Sequence, residues 1–234
     1  MKSIHLFIIS WPGQHLKALA IANSLQNVCE NITIVYSDND EQRVTDGLWK
    51  KIRRKEPSFW SDKFQTAIHL CNSEIMVVIH ADCTCSNWTL LLSKIHEAMQ
   101  NPKISVYSPY VLGSPWSLKY TQLMDQDKTS LKNVALVDAL VFALKKPIIM
   151  RMRELNYSSN TYGWGIDWFF TCASYALGYR VVMDTSIRVL HKVGTGYNKI
   201  QASTEMKTFL LQMNDLEKQK YYELSRFISK NKVF

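Results

Sequence analysis

Apolar positions in the first half of the chain fall into two kinds of segment. Runs of consecutive apolar residues, such as Ile75–Ile79, are typical of strands buried on both faces of a parallel sheet. Longer stretches, in which apolar residues recur every three or four positions, indicate helices. The predicted strands are Ile4–Ser10, Ile32–Tyr36, Glu74–Ile79 and Ile104–Tyr107, and the predicted helices are Gln14–Val28, Ser61–Leu70 and a helix capped by Ser86 or Asn87 that ends near Gln100. This alternation predicts an α/β fold with a mostly parallel central sheet and helices on both faces.

The second half of the chain is less regular. Residues 108–131 show little periodicity, which predicts a long loop, and loops of this size in a compact domain are usually functional. The amphipathic stretch Met206–Ser229 predicts a C-terminal helix that packs on the domain or on a partner. The other predicted elements are strands at Val134–Ala143, Arg180–Met183 and Arg188–His191 and helices at Pro147–Leu155 and Ile166–Leu177.

The composition limits the kinds of protein that this pattern fits. With 47% apolar and 12% aromatic residues, the chain of 234 residues is too hydrophobic for a disordered segment. No apolar run approaches the ~20 residues needed to span a bilayer, and the short apolar stretch after Lys2 does not fit a signal peptide. The odd number of five cysteines favours reduced thiols, and the pair Cys83 and Cys85 lacks the second pair of a zinc site. We therefore expect a cytoplasmic protein.

The charge balance favours an anionic partner. The 28 Lys and Arg residues exceed the 20 Asp and Glu residues by eight, and nucleic acid, an anionic membrane surface or a phosphorylated small molecule would each complement this charge. The densest basic run is Lys50–Lys55. This run is typical of a solvated helix end after Thr45 and Asp46, with an anion site or a membrane-facing patch as the alternatives.

Polar residues follow directly on several of the predicted strands. In open α/β sheets, ligands bind outside the carboxyl ends of the strands. We therefore expect a ligand crevice at that edge of the sheet, lined by Ser10, Ser37, Asp38, His80 and Asp82.

Asp82 and His191 are candidate metal ligands because each lies at a predicted strand end. A single carboxylate together with substrate phosphates is a usual way to hold Mg²⁺ or Mn²⁺. His80, two residues earlier, is either a further ligand or a donor to a phosphate. The alternatives are that Asp82 caps the following turn and that His191 is a structural histidine with satisfied hydrogen bonds.

The segment Tyr162–Trp168 combines glycine, tryptophan and a carboxylate. Two glycines around Trp164 allow the backbone to approach a ligand closely, and an exposed indole suits the face of a sugar ring. Asp167 falls at the start of a predicted helix, where the helix dipole favours the ionised carboxylate that a general base requires. The alternative is that Asp167 only caps this helix.

Taken in order, these residues resemble the glycosyltransferase A fold, most closely that of family 2 enzymes, from Ile4 to Tyr197. The resemblance implies that His80-Ala81-Asp82 stands in the place of the D-x-D motif, which binds the metal and the donor diphosphate. It implies that the G-W-G segment faces the acceptor, although its second acid is Trp168 here. The residues implied in this way are Ser10, Trp11, Pro12, Asp38, His80, Ala81 and Asp82 for the donor, Trp164, Gly165 and Trp168 for the acceptor, Asp82 and His191 for the metal, and Asp167 as general base.

The resemblance implies a glycosyltransferase that moves a sugar from a nucleotide-diphosphate sugar to a glycan or another hydroxyl acceptor, with inversion. The expected cofactor is Mn²⁺ or Mg²⁺, and we favour a UDP-sugar as the donor. Lys63 is expected either to add positive charge near the diphosphate or to be a solvated helix lysine. Residues 1–200 are expected to form the glycosyltransferase A-like catalytic domain, and residues 201–234 a helical extension.

Further partners are expected from the same residues. A peripheral membrane contact and a homodimer are compatible with the basic residues and the final helix, and nucleic acid is not expected as a partner. Two other function classes fit the same residues. One is a metal-dependent phosphoesterase or nuclease that uses Asp82, His191 and Asp167, and the other is a non-catalytic module that binds a nucleotide sugar.

Overall fold

The structure is a computed structural model that describes residues 3–38, 44–123, 129–192 and 196–232. Within these residues, nine strands join in one mixed sheet. The strands are β1 (Ile4–Ser10), β2 (Ile32–Asp38), β3 (Lys50–Lys55), β4 (Ile75–His80), β5 (Cys83–Cys85), β6 (Ile104–Leu112), β7 (Leu131–Asn133), β8 (Val141–Lys145) and β9 (Arg180–His191). The helices are α1 (His15–Leu25), α2 (Trp60–Leu70), α3 (Trp88–Met99), α4 (Leu118–Thr121), α5 (Lys146–Arg153), α6 (Ile166–Ala176), α7 (Lys199–Leu210) and α8 (Asp215–Lys232).

The order of the strands across the sheet is β3-β2-β1-β4-β8-β6-β9-β5, and β7 pairs with β9. The strands β3, β2, β1 and β4 are parallel to one another, and the sequence predicts this for β1, β2 and β4. By contrast, β8 is antiparallel to β4 and β6, and the short strands β5 and β7 are antiparallel to β9. The start of β8 therefore lies at the same edge of the sheet as the carboxyl ends of β1, β2 and β4.

Hydrophobic cores lie on both faces of the sheet. Residues of α1 and α3 pack on one face, and residues of α2, α5, α6 and α8 pack on the other. All six residues of β4 are buried, because this central strand is covered on both sides. This position accounts for the continuous apolar run in its sequence.

The basic run Lys50–Lys55 forms strand β3, so the prediction of a helix end is wrong. The strand lies at the edge of the sheet and pairs in parallel with β2. Its charged side chains remain accessible on both faces of the sheet. The strand therefore lacks the alternation of polar and apolar residues that predicts a strand from sequence. Charged residues on an edge strand also disfavour pairing with other chains.

The predicted break inside β9 is a change of register rather than a loop. Pro109 of β6 pairs with Asp184, and the next residue, Tyr110, pairs with Arg188. The buried carboxylate of Asp184 holds this irregularity, since it accepts hydrogen bonds from the Tyr107 hydroxyl at 2.9 Å and from the Ser186 backbone N–H at 2.9 Å. The strand therefore continues to its end as one element.

The predicted loop 108–131 is shorter than expected, because β6 extends to Leu112 and α4 follows at Leu118–Thr121. The predicted strand Val134–Ala143 is regular only from Val141 onward. The residues before it are buried but follow an irregular path into the sheet.

The predicted single C-terminal helix is two helices, α7 and α8. Asn214 and Glu217 cap the start of the second helix, because each side chain accepts a hydrogen bond from the other's backbone N–H, at 3.0 and 2.9 Å. Glu217 also accepts two hydrogen bonds from Arg151 of α5, at 2.8 and 2.9 Å. No helix in the described ranges has the length and apolar character that a bilayer span requires.

Candidate active site

The pairing of β5 with β9 brings Asp82 and His191 together. Cys83, the residue after Asp82, pairs directly with His191. The His191 Nε2 atom lies 3.1 Å from the Asp82 Oδ2 atom. Burial raises the pKa of Asp82, but the hydrogen bond from His191 and nearby positive charge outweigh this effect and lower it. The same hydrogen bond raises the pKa of His191.

His80 is buried beside this pair. Its ring centroid lies 4.3 Å from that of Trp60 and 5.8 Å from that of Trp11, both edge-on. Burial lowers the pKa of His80 to about 4, so its imidazole is neutral at pH 7. Ala81, the next residue, is also buried, and its backbone N–H donates to the Ile9 carbonyl at 2.9 Å.

Two buried polar atoms in this region have no hydrogen-bond partner among the described residues. They are the second carboxylate oxygen of Asp82, Oδ1, and the Nε2 atom of His80. Buried polar atoms are normally satisfied, so these two atoms are available to accept or donate a bond to a ligand. The described part of the chain holds no group of three or more His, Cys, Asp or Glu side chains at metal-binding distances. Asp82 and His191 therefore fit a divalent cation that takes its other ligands from substrate phosphates and water.

The loop after β1 is placed at the same edge, but its first residue faces inward. The Ser10 hydroxyl is fully buried and lies 2.8 Å from the His15 Nδ1 atom. Trp11 is half-buried and Pro12 is exposed, so these two residues are accessible to a ligand while the Ser10 side chain is not. Asp38 closes β2, and its side chain lies outside the described part of the structure.

Lys63 is buried, with an exposed fraction of 2%, so the solvated alternative for this residue is wrong. Its ammonium group donates to the Ser58 carbonyl at 2.7 Å. Burial lowers the pKa of Lys63 to about 8, and its charge reaches His80, whose pKa it helps to lower. The lysine therefore contributes positive potential beneath the site.

The two glycines of the G-W-G segment serve packing within the protein rather than an approach to a ligand. Both have left-handed backbones, with φ of 75° at Gly163 and 89° at Gly165. A Cβ atom on Gly163 would overlap the Trp60 indole, and one on Gly165 would lie 2.8 Å from the Met206 side chain. Asn160 fixes the turn by accepting from the Gly163 N–H at 3.0 Å.

We expect Gly163→Ala to be less stable than Gly178→Ala by about 1–3 kcal/mol. Both positions have similar positive φ, so alanine introduces similar backbone strain in each. Nothing lies within 4 Å of a Cβ atom at Gly178, whereas the one at Gly163 overlaps the Trp60 indole, which must move. Denaturant unfolding of the two variants measures the difference. Equal losses would show that Trp60 moves aside without cost.

Asp167 lies in the first turn of α6 and is partly accessible. Its Oδ1 atom accepts from the Trp168 N–H at 2.9 Å, and its Oδ2 atom accepts from the Trp116 indole N–H at 3.0 Å. Burial, followed by the negative charge of Asp138, raises the pKa of Asp167 to about 7. A carboxylate with this pKa is suited to accept a proton at neutral pH.

Asp138 is a site residue that the sequence reasoning missed. It lies three residues before β8, and its charge raises the pKa of Asp167, His191 and Tyr197. Burial raises the pKa of Asp138 itself, and a hydrogen bond from Ser114 opposes this effect. The available signal was a lone acid inside the apolar stretch 134–144, which the periodicity assigns to a buried strand.

The tryptophans predicted on the acceptor side differ in their surroundings. Trp164 is half-buried, and its indole N–H donates to the Tyr197 hydroxyl at 2.8 Å. Trp168 is 7% exposed and lies in the core, with its ring 5.9 Å from that of Trp116 and 4.9 Å from that of Tyr221. An acceptor can therefore reach Trp164 but not Trp168, because helix α8 covers the latter.

Comparison with solved structures places this arrangement in a known fold. The chain superposes on the structure of GalNAc-T7 with UDP, GalNAc and Mn²⁺ with a TM-score of 0.67 and 10% identity, over 97% of this chain and 55% of that one. It superposes on the mannosyltransferase PcManGT from Pyrobaculum calidifontis, in complex with GDP-Man and Mn²⁺, with a TM-score of 0.63 and 11% identity, over 98% and 73%. The chain has the glycosyltransferase A fold.

This chain spans about half of the length of the GalNAc-T7 structure. No protein-family model and no curated protein sequence matches the chain. The glycosyltransferase A fold is therefore established by structure, at a sequence identity too low to transfer an activity.

Proposed function

We propose that the protein is a glycosyltransferase that moves a sugar from a nucleotide-diphosphate sugar to an acceptor hydroxyl. The observation that carries this proposal is a group of interacting titratable side chains near the carboxyl edge of a glycosyltransferase A sheet. The His191 Nε2 atom lies 3.1 Å from Asp82, and the charge of Asp138 raises the pKa of both His191 and Asp167. The two similar solved structures contain UDP with GalNAc and GDP-Man, respectively.

Asp82 and His191 would hold Mn²⁺ or Mg²⁺, the cation being Mn²⁺ in both similar structures. When bound, such a cation neutralises the diphosphate leaving group. Lys63 adds positive charge from below, and Trp11 and Pro12 line the entry to the nucleotide side. We favour a UDP-sugar as the donor.

Asp167 accepts the proton of the acceptor hydroxyl in this proposal. The hydroxyl oxygen then bonds to the anomeric carbon as the bond to the diphosphate breaks, which inverts the configuration. The pKa of Asp167, raised to about 7, keeps the carboxylate basic enough for this transfer and still ionised in a large fraction of molecules. Trp164 flanks the acceptor, which we propose to be a glycan or another hydroxyl compound.

The remaining expectations rest on the sequence. A cytoplasmic location, contact with a membrane surface and a homodimer stay predictions, as does the division into residues 1–200 and 201–234. The final helix packs on α6 and α4 of the same chain.

We expect Asp82→Ala to weaken donor binding at least about tenfold and to remove its dependence on metal. The measurement is the thermal shift of the protein with UDP-, GDP-, CMP- and dTDP-sugars, in Mn²⁺ or in EDTA. One nucleotide class should stabilise the wild type only with metal, because the cation that Asp82 anchors is then available to the diphosphate. The matched control is Asp46→Ala, which removes an acid whose side chain is 94% exposed.

Unchanged donor affinity in Asp82→Ala would remove this residue from the metal site. Absence of any shift across the panel, with the wild type folded, would contradict the transferase and make salt-dependent binding of nucleic acid the next test.

A further inference from the structure

The carboxylate of Asp167 is held by two donors from different parts of the chain. The Trp168 N–H is local, whereas the Trp116 indole comes from the segment between β6 and α4. We propose that Trp116 is the positioning residue for Asp167 and that the last turn of α8 holds Trp116 in place. This inference rests on the proposed function, because it assigns a role in proton transfer to a residue that does not touch substrate.

The second hydrogen bond defines the orientation of the carboxylate. With only the Trp168 N–H bound to Oδ1, the carboxylate can still turn about its terminal torsion, which has a broad energy minimum. The Trp116 indole at 3.0 Å from Oδ2 removes that freedom. The unused lone pairs of Asp167 then have fixed directions, which proton transfer to this carboxylate requires.

Trp116 is itself held from several sides. Its backbone N–H donates to the Ser114 hydroxyl at 3.0 Å. The Ser114 hydroxyl also forms a hydrogen bond with Asp138. Its ring meets the ring of Trp168 edge-on at 5.9 Å. The short segment therefore touches both carboxylates of the site, Asp138 through a hydroxyl and Asp167 through an indole.

Helix α8 supports this segment from outside. The Lys232 ammonium lies 4.5 Å from the centre of the Trp116 ring, a cation–π contact. Tyr221 packs on Trp168 at 4.9 Å, and the Asn231 amide donates to the Tyr120 carbonyl of α4 at 3.4 Å. The end of α8 thus contacts the Trp116 ring directly through Lys232, and the neighbouring α4 through Asn231.

The charges around Asp167 give this role a measurable signature. Asp138 raises the pKa of Asp167, while the Trp116 hydrogen bond lowers it by stabilising the ionised form. Asp167 in turn raises the pKa of Cys172 and Tyr221. Loss of the indole donor should therefore raise the pKa of Asp167, an effect that loss of packing alone would not produce.

Trp116→Phe tests the inference, because phenylalanine keeps most of the ring contact and removes the N–H. We expect turnover to fall roughly 10–100-fold, the value of a hydrogen bond to a charged group. The KM for the donor should stay unchanged, and the acid limb of the pH–rate profile should move to higher pH. Trp88→Phe, in α3 on the opposite face of the sheet, is the matched control and should keep wild-type kinetics.

Lys232→Met tests the part played by α8. We expect turnover to fall about two- to fivefold, as loss of an exposed cation–π contact allows, with an unchanged donor KM. Lys230→Met removes an exposed lysine from the same turn and should have no effect. Equal turnover in both lysine variants would overturn the role of α8.

Carbon-13 NMR titration of the Asp167 carboxyl, assigned by its loss in Asp167→Asn, separates this inference from the proposed function. The titration requires no substrate. A higher pKa of Asp167 in Trp116→Phe than in the wild type is expected even where no donor is turned over. An unchanged pKa, or kinetics equal to those of Trp88→Phe, would overturn the positioning role.

Discussion

Asp167→Asn is expected to lower turnover by about 10²–10⁴-fold while donor binding stays at the wild-type level. The amide keeps the size and shape of the side chain, and its single oxygen can replace one of the two carboxylate oxygens that accept from the Trp116 indole and the Trp168 N–H. It cannot accept the proton of an attacking hydroxyl. Steady-state transfer with the donor identified by thermal shift, together with donor titration, measures the two quantities separately.

Asp46→Asn makes the same chemical change on the surface and should retain full turnover. The product of the wild type should have the inverted anomeric configuration by NMR, because direct displacement needs one base and no covalent intermediate. Retained configuration, or near-full turnover in Asp167→Asn, would remove Asp167 from the role of base.

The stability of Asp167→Asn provides a control for folding. The pKa of Asp167 is about 7 in the folded protein, against an ordinary value of 3.8. The folded state therefore binds this proton more tightly, so the free energy of unfolding declines as pH rises from about 4 to 7. Asparagine does not titrate, so the stability of the variant relative to the wild type should increase as pH rises from about 4 to 8.

Glu217→Ala is expected to lower the free energy of unfolding by about 3 kcal/mol, with Tm lower by roughly 6–12 °C. The Glu217 side chain is 2% exposed and accepts two hydrogen bonds from Arg151 and one from the Asn214 N–H. Its removal leaves the Arg151 guanidinium largely buried beside Phe169 without its main counter-charge. Thermal and urea unfolding measure the loss.

Glu154→Ala is the matched control, because Glu154 pairs with the same arginine at 3.2 Å but is 67% exposed. Exposed pairs contribute little, so this variant should lose less than about 1 kcal/mol. Similar losses in the two variants would show that α8 is not anchored through Glu217.

The central parts of the fold were predictable because burial there leaves a simple pattern. All residues of β1 and β4 are buried, and their apolar runs marked both strands within one residue of their observed bounds. Asn87 was one of two predicted caps for α3, and its side chain does accept from the Leu90 N–H at 2.9 Å. These signals are local, so no knowledge of partner strands was required.

The elements that were missed depend on distant partners. The charges of β3 are tolerated only because the strand lies at an edge, and the continuity of β9 depends on the bonds of Asp184 with Tyr107 and Ser186. Neither fact is visible in a local window of sequence. The β-propensity and the hydrophobic periodicity of a segment indicate which of its residues are buried. They do not indicate which strand the segment pairs with.

In the candidate site, too, local signals were predictable from sequence and residues that depend on distant partners were not. Asp82 and His191, predicted from their strand ends, lie together because β5 pairs with β9. Asp138 is masked in sequence by its apolar neighbours, and Trp116 is recognised only through its bond to Asp167. Trp168 stands in the place of the second acid of the G-W-G segment. Its ring packs between those of Trp116 and Tyr221, so it is a packing residue.

The pairing of β5 with β9 makes the contact between Asp82 and His191 depend on the number of residues in each strand. Successive side chains of a strand point to opposite faces, so an insertion or deletion of one residue between Arg188 and His191 would turn the imidazole away from Asp82. The register change at Asp184 lies before this segment and is held by the hydrogen bonds of Asp184. The number of residues between Arg188 and His191 is therefore fixed to the single residue.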